Sequence, residues 1–134
     1  HIMIQYYEQS GTNPNTLYER VGGKSFFVEL VEKFYRLVSD DPILRPLYPK
    51  DLEPGKVNLA GFLAQYWGGP QDYSKKRGHP RLRLRHIPFA IGQLERDTWV
   101  KHMKSAVKSM KLSPNDQGMV IDYFENTATS MMNR

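Results

Sequence analysis

An all-α fold is what this sequence predicts, on three observations. Apolar residues recur at helical spacing through several long stretches. Glycine and proline break the chain between them, and no segment reads convincingly as a strand. With 134 residues the chain suits one domain, with its own core and room for one medium-sized ligand. Cysteine is absent, which excludes a disulfide framework, a cysteine-based zinc site and an iron–sulfur cluster. No apolar run approaches the ~18 residues that suggest a membrane span, and no secretory signal pattern is visible. A cytoplasmic protein is the expectation. The formal charge is +5, and the excess is local: Lys75, Lys76, Arg77, Arg81, Arg83 and Arg85 share one short stretch.

Residues 1–13 are polar and aromatic without a period and read as a flexible arm, leaving 14–134 as the folded domain. Asn13-Pro14 is the expected start of a short helix carrying Leu17, Tyr18 and Val21, which Gly22-Gly23 stops. Phe26, Phe27, Leu30, Val31, Phe34, Tyr35 and Val38 then form one broad apolar helical face. Ser39-Asp40-Asp41-Pro42 ends that helix and caps a short turn of helix reaching Pro46, and Leu47-Tyr48-Pro49 sets a tyrosine in a corner. Glu53-Pro54 opens a helix expected to bury Leu59, Phe62, Leu63, Tyr66 and Trp67. Gly68-Gly69-Pro70 breaks it, and a basic loop leads to His79-Pro80, the expected start of a short helix with His86. A long helix from Ile91 carries Leu94, Thr98, Trp99, Met103, Ala106, Val107 and Met110. Ser113-Pro114-Asn115-Asp116 starts the last one, with Met119, Val120, Tyr123, Phe124, Thr127, Ala128 and Met131 on its inner face. The result is one domain of two helix pairs of unequal length.

His1 is given no chemical role, which leaves His79, His86 and His102. None forms a His-x-x-x-His pair, so a zinc hydrolase is disfavoured. His79 suits a helix start, and His102 reads as a surface residue. His86 follows the basic loop and sits among Leu82, Leu84, Ile87 and Phe89. A lone imidazole there is either an ordinary half-buried histidine or the single axial ligand of a haem, with nearby cations for its propionates. Tyr35, Tyr48 and Trp99 are core or corner aromatics on the plain reading. On the functional one they converge above an iron and donate to its ligand. Spacing alone leaves both open. The basic stretch could equally serve nucleic acid, but only Tyr73 offers the aromatic that such a surface needs.

The chain resembles the group II truncated haemoglobins. The resemblance runs from Leu17 to Met131 and rests on Gly22-Gly23, Phe34-Tyr35, Leu47-Tyr48-Pro49 and Gln65-Tyr66-Trp67-Gly68-Gly69-Pro70. It continues through Tyr73-Ser74, Arg77-Gly78-His79-Pro80-Arg81-Leu82-Arg83-Leu84-Arg85-His86, Pro88-Phe89 and Arg96-Asp97-Thr98-Trp99. It implies a two-over-two helical sandwich around haem b. His86 falls on the proximal iron ligand, and Tyr35, Tyr48 and Trp99 on the three distal positions that contact bound ligand. Gly55 falls where larger globins carry a distal histidine. Tyr73 and Arg77 fall near the propionates, and Leu59, Phe62, Leu63, Trp67, Leu84, Phe89 and Ile91 on the pocket walls.

The implied function is binding of O2, CO and other diatomic ligands at ferrous haem. O2-dependent nitric oxide detoxification or peroxidase-like chemistry is its enzymatic extension, with a reductase as protein partner. The alternative is a gas-sensing or O2-delivery module without catalysis. The expected assembly is a monomer or homodimer, with neither nucleic acid nor a membrane span among its partners.

Overall fold

The computed structural model describes residues 15–134, so the expected arm and the Asn13-Pro14 start lie outside the described residues. Within them are seven α-helices and one 3-10 turn, and no strand. The helices are α1 (Leu17–Arg20), α2 (Lys24–Ser39), α3 (Glu53–Tyr66), α4 (Asp72–Arg77), α5 (Leu82–His86), α6 (Gln93–Lys108) and α7 (Pro114–Ser130), and the 3-10 turn is Arg45–Leu47. Two compact units are distinguished. One comprises residues 15–31 with Glu53–Pro80, the other Glu32–Leu52 with Arg81–Arg134.

In the first unit, Thr16 caps α1 by accepting the Glu19 N–H. Gly22 and Gly23 then take φ of 89° and 95°, where a β-carbon is unfavourable. The Gly23 N–H returns to the Tyr18 carbonyl at 2.9 Å, and α2 starts one residue later. The core is Leu17, Phe26, Phe27, Leu30 and Val31, with Ala60, Leu63 and Ala64 of α3. Phe27 stacks between Tyr18 and Trp67, at ring distances of 6.2 and 6.1 Å. The backbone makes the same join: the Tyr18 N–H donates to the Trp67 carbonyl at 3.0 Å. Helix α3 buries less than its sequence suggested. Tyr66 is exposed, Leu59 and Phe62 are half-buried, and the two alanines take the inner face beside Leu63.

Helix α4 corrects the expectation of an unbroken basic loop. Its apolar content is little more than Tyr73, and tertiary bonds hold it. The Gln65 side chain accepts the Ser74 N–H at 2.9 Å and donates to the Ser74 hydroxyl at 2.6 Å. Nor does His79-Pro80 open the next helix. Arg81 precedes α5 directly, at φ 49° and ψ 50°.

In the second unit, α6 packs along α7. The buried set is Phe34, Tyr35 and Val38 of α2, Leu44 of the corner, Val100, Met103, Ala106 and Val107 of α6, and Val120, Phe124 and Ala128 of α7. Arg96 ties the pair with its guanidinium, donating to the Thr129 hydroxyl at 3.1 Å and the Glu125 carbonyl at 3.0 Å. Ser113 caps α7 through the Asp116 N–H at 3.1 Å, as its sequence signal required. Leu94 and Met119, expected on inner faces, are exposed, whereas Val100 is buried.

Candidate functional site

The second unit carries the histidine and the three polar aromatics. Helix α5 is short and ends at His86, whose Nδ1 lies 2.6 Å from the carbonyl of Leu82, one turn back. A carbonyl only accepts, so Nδ1 carries the proton and the lone pair of the neutral ring is on Nε2. Beyond His86 the chain is held by the C-terminal residues. Asn133 accepts the Ile91 N–H at 2.9 Å and donates to the Phe89 carbonyl at 2.7 Å, and its own N–H reaches the Ile91 carbonyl at 2.9 Å. Around this ring the expected wall residues Leu84 and Phe89, with Ile87, are exposed, and Ile91 is half-buried. Leu84 leaves 57% and Ile87 65% of its surface uncovered, which is apolar area of the kind a flat hydrophobic ligand covers.

Tyr35, Tyr48 and Trp99 do converge. The Tyr35 and Tyr48 rings meet edge-on at 5.7 Å. Trp99 meets Phe34 at 5.0 Å and Phe124 at 5.7 Å, so its indole is wedged between α2 and α7. The Trp99 indole N–H, which can only donate, lies near enough to the Tyr48 hydroxyl to act on its ionisation. Burial pushes the Tyr48 hydroxyl well above the usual phenol range. The neighbouring Tyr35 adds to the rise, and the Trp99 N–H only partly opposes it. Tyr48 therefore stays a neutral O–H donor. Arg45 secures its corner, its guanidinium donating to the carbonyls of Tyr48 at 3.3 Å, Pro49 at 3.0 Å and Lys50 at 3.0 Å.

The first unit carries the other expected wall and propionate residues. Leu63 is buried, and Leu59, Phe62 and Trp67 are half-buried. Tyr73 is buried rather than exposed, with its ring edge-on to Phe62 at 5.5 Å, which removes the one aromatic a nucleic-acid surface had to offer. The exposed Arg77 lies over the Tyr73 ring at 5.9 Å, a cation–π contact. Gly55 is half-buried within α3.

His102 is the residue the sequence reading misplaced. It is not a free surface group. Its Nε2 lies 2.6 Å from Asp41 Oδ2, and both side chains are largely shielded. Asp41 is held below the usual carboxylate range first by this bond, then by the N–H groups of Ile43 and Leu44, which together outweigh its partial desolvation. The signal was present: His102 is three residues beyond Trp99 on a helix, hence on the same face.

A haem fits the donor set. Among the described residues no three of His, Cys, Asp and Glu gather into a metal site, so the imidazole of His86 would bind a metal that brings its own equatorial ligands. These features define a class of small helical proteins with one committed imidazole and a separate cluster of neutral O–H and N–H donors. Residues 16–133 match the family model described as bacterial-like globin. The group 2 truncated hemoglobin YjbI of Bacillus subtilis is 36% identical over 124 residues, covering 92% of this chain and 93% of its own length. The haemoglobin of the thermophilic phototrophic bacterium Chloroflexus aurantiacus superposes with a TM-score of 0.86 at 49% identity, over 89% of this chain and 98% of that one. The truncated oxygen-avid haemoglobin of B. subtilis gives a TM-score of 0.83 at 37% identity, over 89% and 100%. The chain belongs to the bacterial-like globins, in the group II truncated haemoglobins, and shares their two-over-two helical fold.

Proposed function

We propose that this chain binds one haem b and, in the ferrous state, takes up O2 reversibly, with His86 as the single protein ligand to the iron. The observation that carries the reading is the 2.6 Å bond from His86 Nδ1 to the Leu82 carbonyl. It fixes the tautomer and the ring, raises the basicity of the other nitrogen and directs Nε2 to the metal. The exposed apolar side chains around His86 support it. So does membership of a family whose B. subtilis structure is described as oxygen-avid. When bound, ferrous haem would supply reversible binding of a diatomic gas.

The chain's own residues set how long the gas stays. Captured O2 would carry more negative charge than captured CO, so neutral donors would favour O2 over CO. Tyr48 donates its hydroxyl proton, and Tyr35 stands beside it. By the family resemblance, Arg77 and Tyr73 would hold the propionates, and Leu59, Phe62, Leu63, Trp67, Leu84, Phe89 and Ile91 would keep water from the ring. A donor set of this kind suits retention of O2 for oxidative chemistry, such as converting nitric oxide to nitrate with electrons from a reductase in the cytoplasm, over rapid delivery.

The test is stoichiometric uptake. Haemin added to the purified protein should bind at one equivalent, and after reduction the deoxy, O2 and CO forms should give three distinct visible spectra. Absence of one-to-one uptake would overturn the reading.

A further inference from the structure

The corner between α2 and Tyr48 is built on the carboxylate of Asp41. Its Oδ1 accepts the N–H of Ile43 at 2.8 Å and of Leu44 at 3.1 Å, while its carbonyl accepts the Arg45 N–H at 2.9 Å. The Tyr48 N–H then donates to the Arg45 carbonyl at 3.1 Å, so a continuous run of hydrogen bonds links Asp41 to the tyrosine. The second carboxylate oxygen faces His102 Nε2 at 2.6 Å, with side-chain exposures of 13% for His102 and 14% for Asp41. An ionised carboxylate only accepts, so Nε2 carries a proton whether the ring is neutral or charged. His102 lies one turn after Trp99 on α6. The corner is thus tied to α6 by the Asp41–His102 bond, one turn from Trp99.

We propose that His102 and Asp41 are a positioning pair for the distal donors: by fixing the corner on α6 they hold the Tyr48 hydroxyl toward the captured gas. The inference rests on the O2-binding reading above. Neither residue touches the ligand, and both act through Tyr48. A pair that merely stabilised the fold would affect stability without regard to Tyr48.

Holoprotein of the wild type, His102→Leu and His102→Gln, each with and without Tyr48→Phe, separates the two. The measurements are O2 dissociation, the infrared stretch of CO, and amide hydrogen exchange at Ile43 and Leu44. His102→Leu removes a donor worth one hydrogen bond, so O2 should leave about 3- to 10-fold faster, the CO stretch should move, and both amides should exchange faster. Gln presents an N–H at nearly the same reach and should restore most of the wild-type behaviour. With Tyr48→Phe already in place, His102→Leu should change O2 dissociation by less than about twofold, because the two substitutions share one route. Equal effects with and without Tyr48, or normal haem and CO spectra with unaltered O2 dissociation, would overturn the positioning role and leave O2 binding intact. Failure of the wild type to take up haem would overturn both. If His102→Leu does not fold, Asp41→Asn, which keeps an acceptor for Ile43 and Leu44 but removes the charge facing His102, should show the same dependence on Tyr48.

Discussion

At the scale of single residues, the arrangement turns on which donor faces the ligand. Trp99 presents its only proton beside Tyr48, so its influence on a captured gas should pass through that hydroxyl. Tyr48→Phe should therefore be the more damaging change. It removes a bond to a partly charged partner worth roughly 1.5–3 kcal/mol, or about 10- to 100-fold in O2 dissociation. Trp99→Phe removes an N–H donor at one remove and should cost about 3- to 10-fold. Stopped-flow measurement of both and of the double variant should show that Trp99→Phe adds little once Tyr48 is gone; full additivity would mean that Trp99 acts on the ligand directly. CO dissociation should change less than O2 in every variant. Tyr48 is held neutral well above the ordinary phenol value of about 10, so O2 dissociation should show no step from its ionisation between about pH 6 and 9. Tyr35, Tyr48, His86 and Trp99 stood out as candidates because they sit in motifs of the family resemblance. That Tyr35 and Tyr48 meet edge-on was not legible, since spacing along helices does not fix how separate elements meet. His102 was read as a surface residue for the same reason: its partner Asp41 is 61 positions away.

At the scale of elements, the ends of helices were the most legible features where a side chain makes the end. Ser113 is a local signal with a local bond, and Ser113→Ala should cost about 1 kcal/mol in denaturant unfolding without altering any spectrum of bound haem. Gly68 is legible as a break but not as a tight approach. It has φ of 107°, and a β-carbon there would come within 2.5 Å of the Thr16 side chain, so Gly68→Ala should destabilise by about 1–3 kcal/mol. Helix α4 was hidden because its sequence is almost all polar, and the Gln65–Ser74 bonds that support it come from another helix. Helix α5 illustrates the opposite case. Its place in the chain was legible, but what steadies its exit, Asn133, is 42 positions beyond Ile91. Asn133→Ala should leave haem uptake intact and broaden the His86 ring resonances in nuclear magnetic resonance spectra; unchanged line widths would show that the C-terminal contact does not steady α5.

At the scale of the whole molecule, the all-α class followed from periodicity, whereas the burial pattern of α3 depended on packing that single-chain periodicity does not report. The titrating groups bound the stability. Asp41 is depressed first by its bond with His102, and Glu95 first by the Gly92 N–H, so each binds its proton less readily folded than unfolded. Their contributions are present above the ordinary values of 3.8 and 4.5 and are lost as pH falls through the lower folded ones. Tyr48 has the opposite sign. Its raised value favours the folded state below about pH 10, and that contribution fades as the pH rises further. Thermal unfolding should accordingly show a plateau bounded by acid loss below about pH 4 and alkaline loss above about pH 10. All of this serves one central claim, that His86 alone among the chain's residues holds the iron. The most direct measurement is the visible spectrum of ferrous His86→Ala with CO. The account predicts loss of most haem, or a spectrum lacking the proximal imidazole that added imidazole partly restores, while His79→Ala and His102→Ala keep a bound haem with a wild-type proximal bond. A His86→Ala protein with wild-type deoxy and CO spectra in the absence of imidazole would contradict it.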